Sequence, residues 1–305
     1  MRLPVRPLTG RWPSGLERRF ARFFWADPRV ILDPDITRDQ FAGAMSAVHV
    51  GGTIEITGGN RHPVADQMLI DNVDLSDATI LDVGASDGST SVDLIGKLPA
   101  FKRYVIADLH FHLTAVDTGR RCLFYDGGGT LILVVGPRLL GWPSTSRFVR
   151  LLYRGVDAGA RRSGRTAVRV LLLNPAARAV IDTDPRVSYR VHDVFTAWEG
   201  PRPTVIKVAN LLRRLYFTDE VIAAGLRAIA DSLDERGYLL VVDNVRRRGV
   251  PPRAGLYQLL DGRFRVVSET PDPPEIADLI EQVHLDPAPA EPRTSGPSAG
   301  VTGTR

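Results

Sequence analysis

The sequence predicts an α/β fold: a doubly wound, mostly parallel sheet with an antiparallel terminal hairpin and an inserted small subdomain. Three observations predict it. Residues 79–95 read as a buried strand, a glycine-bearing turn and a helix. Strand and helix patterns alternate again from about residue 187 to 242, as βαβ units do. Residues 257–260, Asp261-Gly262 and residues 264–267 then spell a hairpin around a turn dipeptide.

Along the chain, residues 1–62 form an N-terminal helical lead-in. Within it, residues 15–25 carry Leu16, Phe20, Phe23 and Phe24 among arginines, the pattern of an amphipathic helix. That helix would pack on the main domain, close a cleft as a lid, or meet a membrane surface through its arginines. Pro63 suits the first turn of a helix carrying Val64, Met68, Leu69 and Val73. The strand at Ile80, a helix over 89–98 and a strand over 103–107 ending at Asp108 follow. From about 110 to 168 the alternation stops. Residues 122–135 read as a hairpin around Asp126-Gly-Gly-Gly, and 148–156 as an arginine-studded apolar segment. This stretch is too long for a simple crossover, so it is an insertion in a domain spanning 63–285. Strands over 187–194 and 204–209, a helix opening at Asp219 and Glu220, and a strand over 238–242 resume the rhythm. Residues 286–305 are Pro, Ala, Gly, Ser and Thr-rich and read as a disordered tail.

Composition narrows the classes. The chain has 305 residues, 44% of them apolar, enough for one large domain and its core. A single cysteine, Cys122, excludes an internal disulfide framework and suits a reducing, cytoplasmic setting. No apolar run is long and uninterrupted enough to span a bilayer. The net charge of +4 invites a nucleic-acid partner, but only three of the 39 basic residues are lysines and the acids are interspersed. A nucleic-acid role is therefore the weaker reading, and a small-molecule partner the stronger.

The chemistry centres on Asp82-Val-Gly84-Ala85-Ser86-Asp-Gly88. A glycine turn at the carboxyl end of a parallel strand is where open α/β sheets hold nucleotide-like ligands. Three histidines, His110, His112 and His192, fall near strand ends and are candidate proton acceptors, since imidazole titrates near neutrality. His110-Phe-His112 lacks the further ligands of a metal site, and none is expected. Neither a Walker loop nor a Gly-x-Ser-x-Gly elbow accompanied by a triad is present.

The 82–88 turn resembles the first motif of class I S-adenosylmethionine-dependent methyltransferases, Asp-x-Gly-x-Gly-x-Gly, with Ser86 in place of the middle glycine. Val205-Ile-Lys-Val-Ala-Asn and Arg236-Gly-Tyr-Leu-Leu-Val-Val resemble that superfamily's fourth and fifth strands, and the terminal hairpin its antiparallel sixth and seventh. The likeness covers about 63–110 and 185–270. It implies a seven-stranded Rossmann-like sheet and S-adenosyl-L-methionine as cofactor. It further implies that Asp82, Gly84, Ala85, Ser86 and Gly88 line the methionine moiety, and that Asp108 with Leu109 meets the ribose. Asp193 with Val194 and Phe195 would meet the adenine, while Ala209 and Asn210 would lie beside the sulfonium and the acceptor. His192 and His110 remain the candidate bases. The expected activity is methyl transfer to a small organic acceptor, with an RNA or protein methyltransferase, or a non-catalytic cofactor-binding module, as alternatives. A nicotinamide dehydrogenase fits less well, because the third glycine spacing of Gly-x-Gly-x-x-Gly is missing.

Overall fold

The computed structural model describes residues 4–50, 53–54, 60–244 and 251–285. The tail expected over 286–305 lies outside the described residues. The chain opens with β1 (Val5–Pro7), α1 (Ser14–Arg19), α2 (Arg38–Met45) and the pair β2 (His49–Val50) and β3 (Thr53–Ile54). Then come α3 (Pro63–Asn72), β4 (Thr79–Val83), α4 (Ser89–Ile95) and β5 (Arg103–Asp108). The insertion supplies β6 (His112–Asp117), β7 (Cys122–Tyr125), β8 (Leu131–Val135), β9 (Leu139–Gly141), α5 (Arg147–Arg162) and β10 (Ala167–Leu171). The rest is α6 (Pro175–Thr183), β11 (Val187–Val191), β12 (Val205–Ala209), α7 (Asp219–Ser232), β13 (Tyr238–Asp243), β14 (Arg253–Leu260), β15 (Arg263–Glu269) and α8 (Ala277–Gln282).

The larger sheet has seven strands in the order β11-β5-β4-β12-β13-β14-β15. The first five are mutually parallel. β14 then runs antiparallel to β13, and β15 antiparallel to β14. The Asp261-Gly262 turn joins these last two strands with positive φ at both residues, as a tight hairpin requires. Alternation along β4 divides the core. Leu81 and Val83 face a cluster with Ile222, Leu226 and Ile229 of α7 and Ile280 of α8. Ile80 faces the opposite cluster with Met68 and Leu69 of α3, Leu94 of α4 and Ala177 of α6. Helices thus cover both faces of the sheet, the architecture its apolar strands demand.

The insertion is more than a hairpin. It forms a six-stranded sheet, β1-β9-β8-β7-β6-β10, whose neighbouring strands are all antiparallel. Its edge strand β1 comes from the lead-in, so residues before 62 and the insertion share one sheet. One face packs against Phe41 and Met45 of α2 with Leu8 and Ile31. The other carries α5 on Leu123, Val134 and Leu131 through Ala160, Tyr153 and Val156.

One expectation needs correction. The amphipathic helix over 15–25 ends after Arg19, because Phe20 (φ −122°, ψ 28°) leaves helical geometry, and none of its residues is buried. Residues 148–156, an arginine-studded apolar segment in the sequence, are part of a 16-residue helix. No described helix is long and apolar enough to cross a membrane.

Candidate functional site

The turn follows β4 at the carboxyl edge of the larger sheet. Gly84, Ser86 and Gly88 all have positive φ, at 73°, 55° and 77°. Gly88 is required for a second reason: a Cβ there would lie 3.0 Å from the Cβ of Ala177 on α6. The backbone amides of Gly84 and Ala85 both donate to the Ala107 carbonyl, at 2.9 and 3.1 Å. This folds the turn over the end of β5.

Asp108 ends β5 and clamps the turn from the side. Its carboxylate accepts the Ser86 amide at 2.8 Å and the His110 amide at 2.9 Å. Burial pushes this carboxyl above the usual carboxylate range, while the amide bonds work in the opposite direction. Beside it, Leu109 stands 49% exposed and offers an apolar wall. The His192 amide donates to the Asp108 carbonyl at 3.0 Å, which ties the end of β11 to the same corner. The His192 ring packs edge-on to Trp198, and burial lowers its pKa, so it is neutral at pH 7. Asp193 accepts the Phe195 amide at 3.0 Å, and Phe195 stacks edge-to-face on Phe217. Val194 points into the α7 core.

The opposite lip is built by Asn210, itself at φ 57°. Its amide donates to Val242 and its side-chain oxygen accepts the Asn244 amide at 2.6 Å. Ala209 before it is half-buried, and the next residue, Leu211, lies directly on the turn. A Cβ on Gly84 would sit 2.8 Å from Leu211 Cδ2.

Asp82 departs from its expected role. Rather than facing a ligand, it is 1% exposed and its Oδ2 accepts from Lys207 Nζ at 3.1 Å, Tyr104 Oη at 2.8 Å and Ser91 Oγ at 2.8 Å. The reason is register: Lys207 sits opposite Asp82 on β12, pointing to the same face. The carboxylate therefore holds the base of the turn from beneath.

The structure thus gathers the turn, Asp108, His110 and His192 at one corner, and Asn210 with Leu211 at the other. Four neighbours escaped sequence reading. Asn174 caps α6 by accepting the Ala177 amide, and its Nδ2 donates to the Asp87 carbonyl at 2.8 Å. Asn244 lies 3.1 Å from His62 Nε2, and His62 is 3% exposed with no hydrogen-bond partner on Nδ1 among the described residues. Lys207 is the fourth, and it left one signal, a lone lysine in an otherwise apolar strand. Such a lysine needs a buried acid.

No family model matches the chain, and no curated protein matches it. Solved structures similar to it include the mitomycin 7-O-methyltransferase MmcR, at 17% identity and TM-score 0.32, covering 73% of this chain and 44% of that one. Another is S-adenosylmethionine-bound CalS10, an amino pentose methyltransferase from Micromonospora echinaspora, at 14% identity and TM-score 0.30, covering 67% and 65%. A third is described as a pericyclic reaction enzyme, at 12% identity and TM-score 0.32, covering 70% and 37%. The chain spans about half the length, or less, of the first structures it matches. Likenesses at this level assign no reaction to it.

Proposed function

We propose that the protein is a class I S-adenosylmethionine-dependent methyltransferase acting on a small organic acceptor. The observation that supports this most is the 2.8 Å bond between the Ser86 amide and Asp108 Oδ2. It sets a carboxylate from the neighbouring strand against the backbone of a glycine turn, which is the juxtaposition a ribosyl amino-acid ligand requires. The bound cofactor would supply a methyl group on a sulfonium, already a good electrophile.

The chain's own residues would do the rest. A carboxylate offers about four acceptor positions, and two on Asp108 are used by amides, so both ribose hydroxyls could still be met. Leu109 and Phe195 would flank the adenine, with Asp193 at its edge. The backbone of Gly84, Ala85, Ser86 and Gly88 would take the amino-acid part, once the Leu211 side chain rotates away from Gly84. Ala209 and Asn210 would lie beside the acceptor. His192, being neutral, is in the form that accepts a proton from an acceptor hydroxyl, and His110 is the second candidate by position, its amide held on Asp108. The six-stranded sheet leaves the chain at Asp108 and returns at Asn174, a position from which it and residues 1–62 would shape the acceptor cleft.

Calorimetric titration with S-adenosylhomocysteine tests this reading. Micromolar binding is expected, weakened by Asp108→Asn, which keeps the shape of the side chain. Absence of heat at millimolar ligand would sink it. A second reading, a binding module without turnover, is favoured by Ser86 standing at positive φ where the resembling motif has glycine. It predicts binding with no label transferred to any acceptor in a metabolite screen.

A further inference from the structure

We propose that α5 docks the protein onto an anionic lipid bilayer. The helix has two apolar faces, and the sheet uses only one. Val149 and Ala160 are buried, and Tyr153 closes over Gly141, fixing the helix on the six-stranded sheet. Phe148, Leu151 and Leu152 point away from it, 75, 67 and 61% exposed. With Gly155 and Gly159 they recur at helical spacing along one meridian. A Cβ at either glycine would meet nothing within 4 Å, so among the described residues nothing covers this side of the helix.

Charge identifies the occupant. Residues 147–165 carry six arginines and a single acid, Asp157. That acid is tied to Arg161 at 2.8 Å and to Tyr125 Oη at 3.0 Å. Arg147, Arg150 and Arg154 are exposed and flank the apolar trio along a neighbouring meridian. An apolar stripe bordered by arginines is the pattern of a helix lying in the headgroup region, its large side chains among the acyl chains and its guanidinium groups on phosphates. A second copy of the chain is a poorer partner, since a symmetric contact would bring two arginine rows together. An RNA would satisfy the arginines but leave the three aliphatic and aromatic side chains in water.

Cosedimentation of the full chain with phosphatidylcholine–phosphatidylglycerol vesicles, against pure phosphatidylcholine vesicles, tests the proposal. Binding is expected to the anionic vesicles only, and to weaken as salt rises. Replacing Phe148, Leu151 and Leu152 together by serine should weaken it by at least about tenfold. Arg147→Gln/Arg150→Gln/Arg154→Gln should weaken it by about 10²-fold, at roughly fivefold per arginine. All six side chains are exposed, so both variants should melt like the parent in circular dichroism, which separates lost docking from lost folding. Four results would overturn the proposal. They are no pelleting with anionic vesicles, equal pelleting with neutral ones, variants that pellet like the parent, and an ultracentrifugal dimer that the serine variant dissociates.

Discussion

Lys207 and Asp82 face each other across adjacent parallel strands, Nζ to Oδ2 at 3.1 Å, with both side chains almost fully buried. Three donors converge on that one carboxylate oxygen, which lies directly below the glycine turn. A buried pair adds little net stability over apolar residues, but breaking it strands a charge.

Lys207→Met should therefore lower the unfolding free energy by about 3–5 kcal/mol, measured by urea denaturation. Adding Asp82→Asn should recover part of the loss, giving a double variant more stable than the sum of the singles. Strict additivity would mean that the two residues do not act as a pair.

Ser86 occupies a left-handed conformation where the resembling motif has glycine. A non-glycine residue there is strained by about 1–2 kcal/mol, partly offset by glycine's greater freedom when unfolded. Ser86→Gly should leave stability unchanged or raise it by up to about 1 kcal/mol. Gly88→Ala should do the reverse, because it adds the strain and meets Ala177 at 3.0 Å. Differential scanning calorimetry of both variants checks the contrast, and a destabilised Ser86→Gly protein would refute it.

His62 gives the stability an acid limb. Burial, followed by the charges of Lys207, Arg61 and Lys97, lowers its pKa to about 3. In the unfolded chain it titrates near 6.5, so between these values the unfolded state binds a proton that the folded state refuses. The stability present above pH 6.5 is then lost as pH falls toward 3, at up to about 1.4 kcal/mol per pH unit from this group. His62→Gln should flatten that slope in urea titrations between neutral and acid pH. An unchanged slope would show that the ring is protonated in the folded protein.

Cys122 is buried on β7, and burial pushes its thiol up to about 12. Only thiolate reacts, so the native protein should resist a disulfide reagent and the urea-unfolded protein should react at once. Rapid native labelling would show that this sheet opens readily.

The glycine turn, the strands on either side of it and the terminal hairpin were legible because their signals are local. Apolar strands ended at Gly84, at Asp108 and at Asp261-Gly262. The six-stranded sheet was not legible as a whole. Its edge strand is three residues long and includes Pro7, and its partner Leu139–Gly141 lies far along the chain, so no short-range pattern marks the pairing. Helix α5 hid because Val149 and Ala160 follow one meridian and Phe148, Leu151 and Leu152 another, which blurs a single periodicity. At the site, the residue types were readable but not their commitments. Nothing in the turn itself reveals that Lys207, 125 residues away, holds Asp82.

That separation also sets the order in which the protein can assemble on the ribosome. β4 has one neighbour, β5, available almost at once, but its other side stays open until β12 has been made. At roughly 5–20 residues per second, the interval is about 6–25 s. Throughout it the strand beneath the turn presents unpaired backbone, and Asp82 lacks its lysine. The strand that carries the turn is thus the first of its sheet to be synthesised and the one that waits longest for its second neighbour.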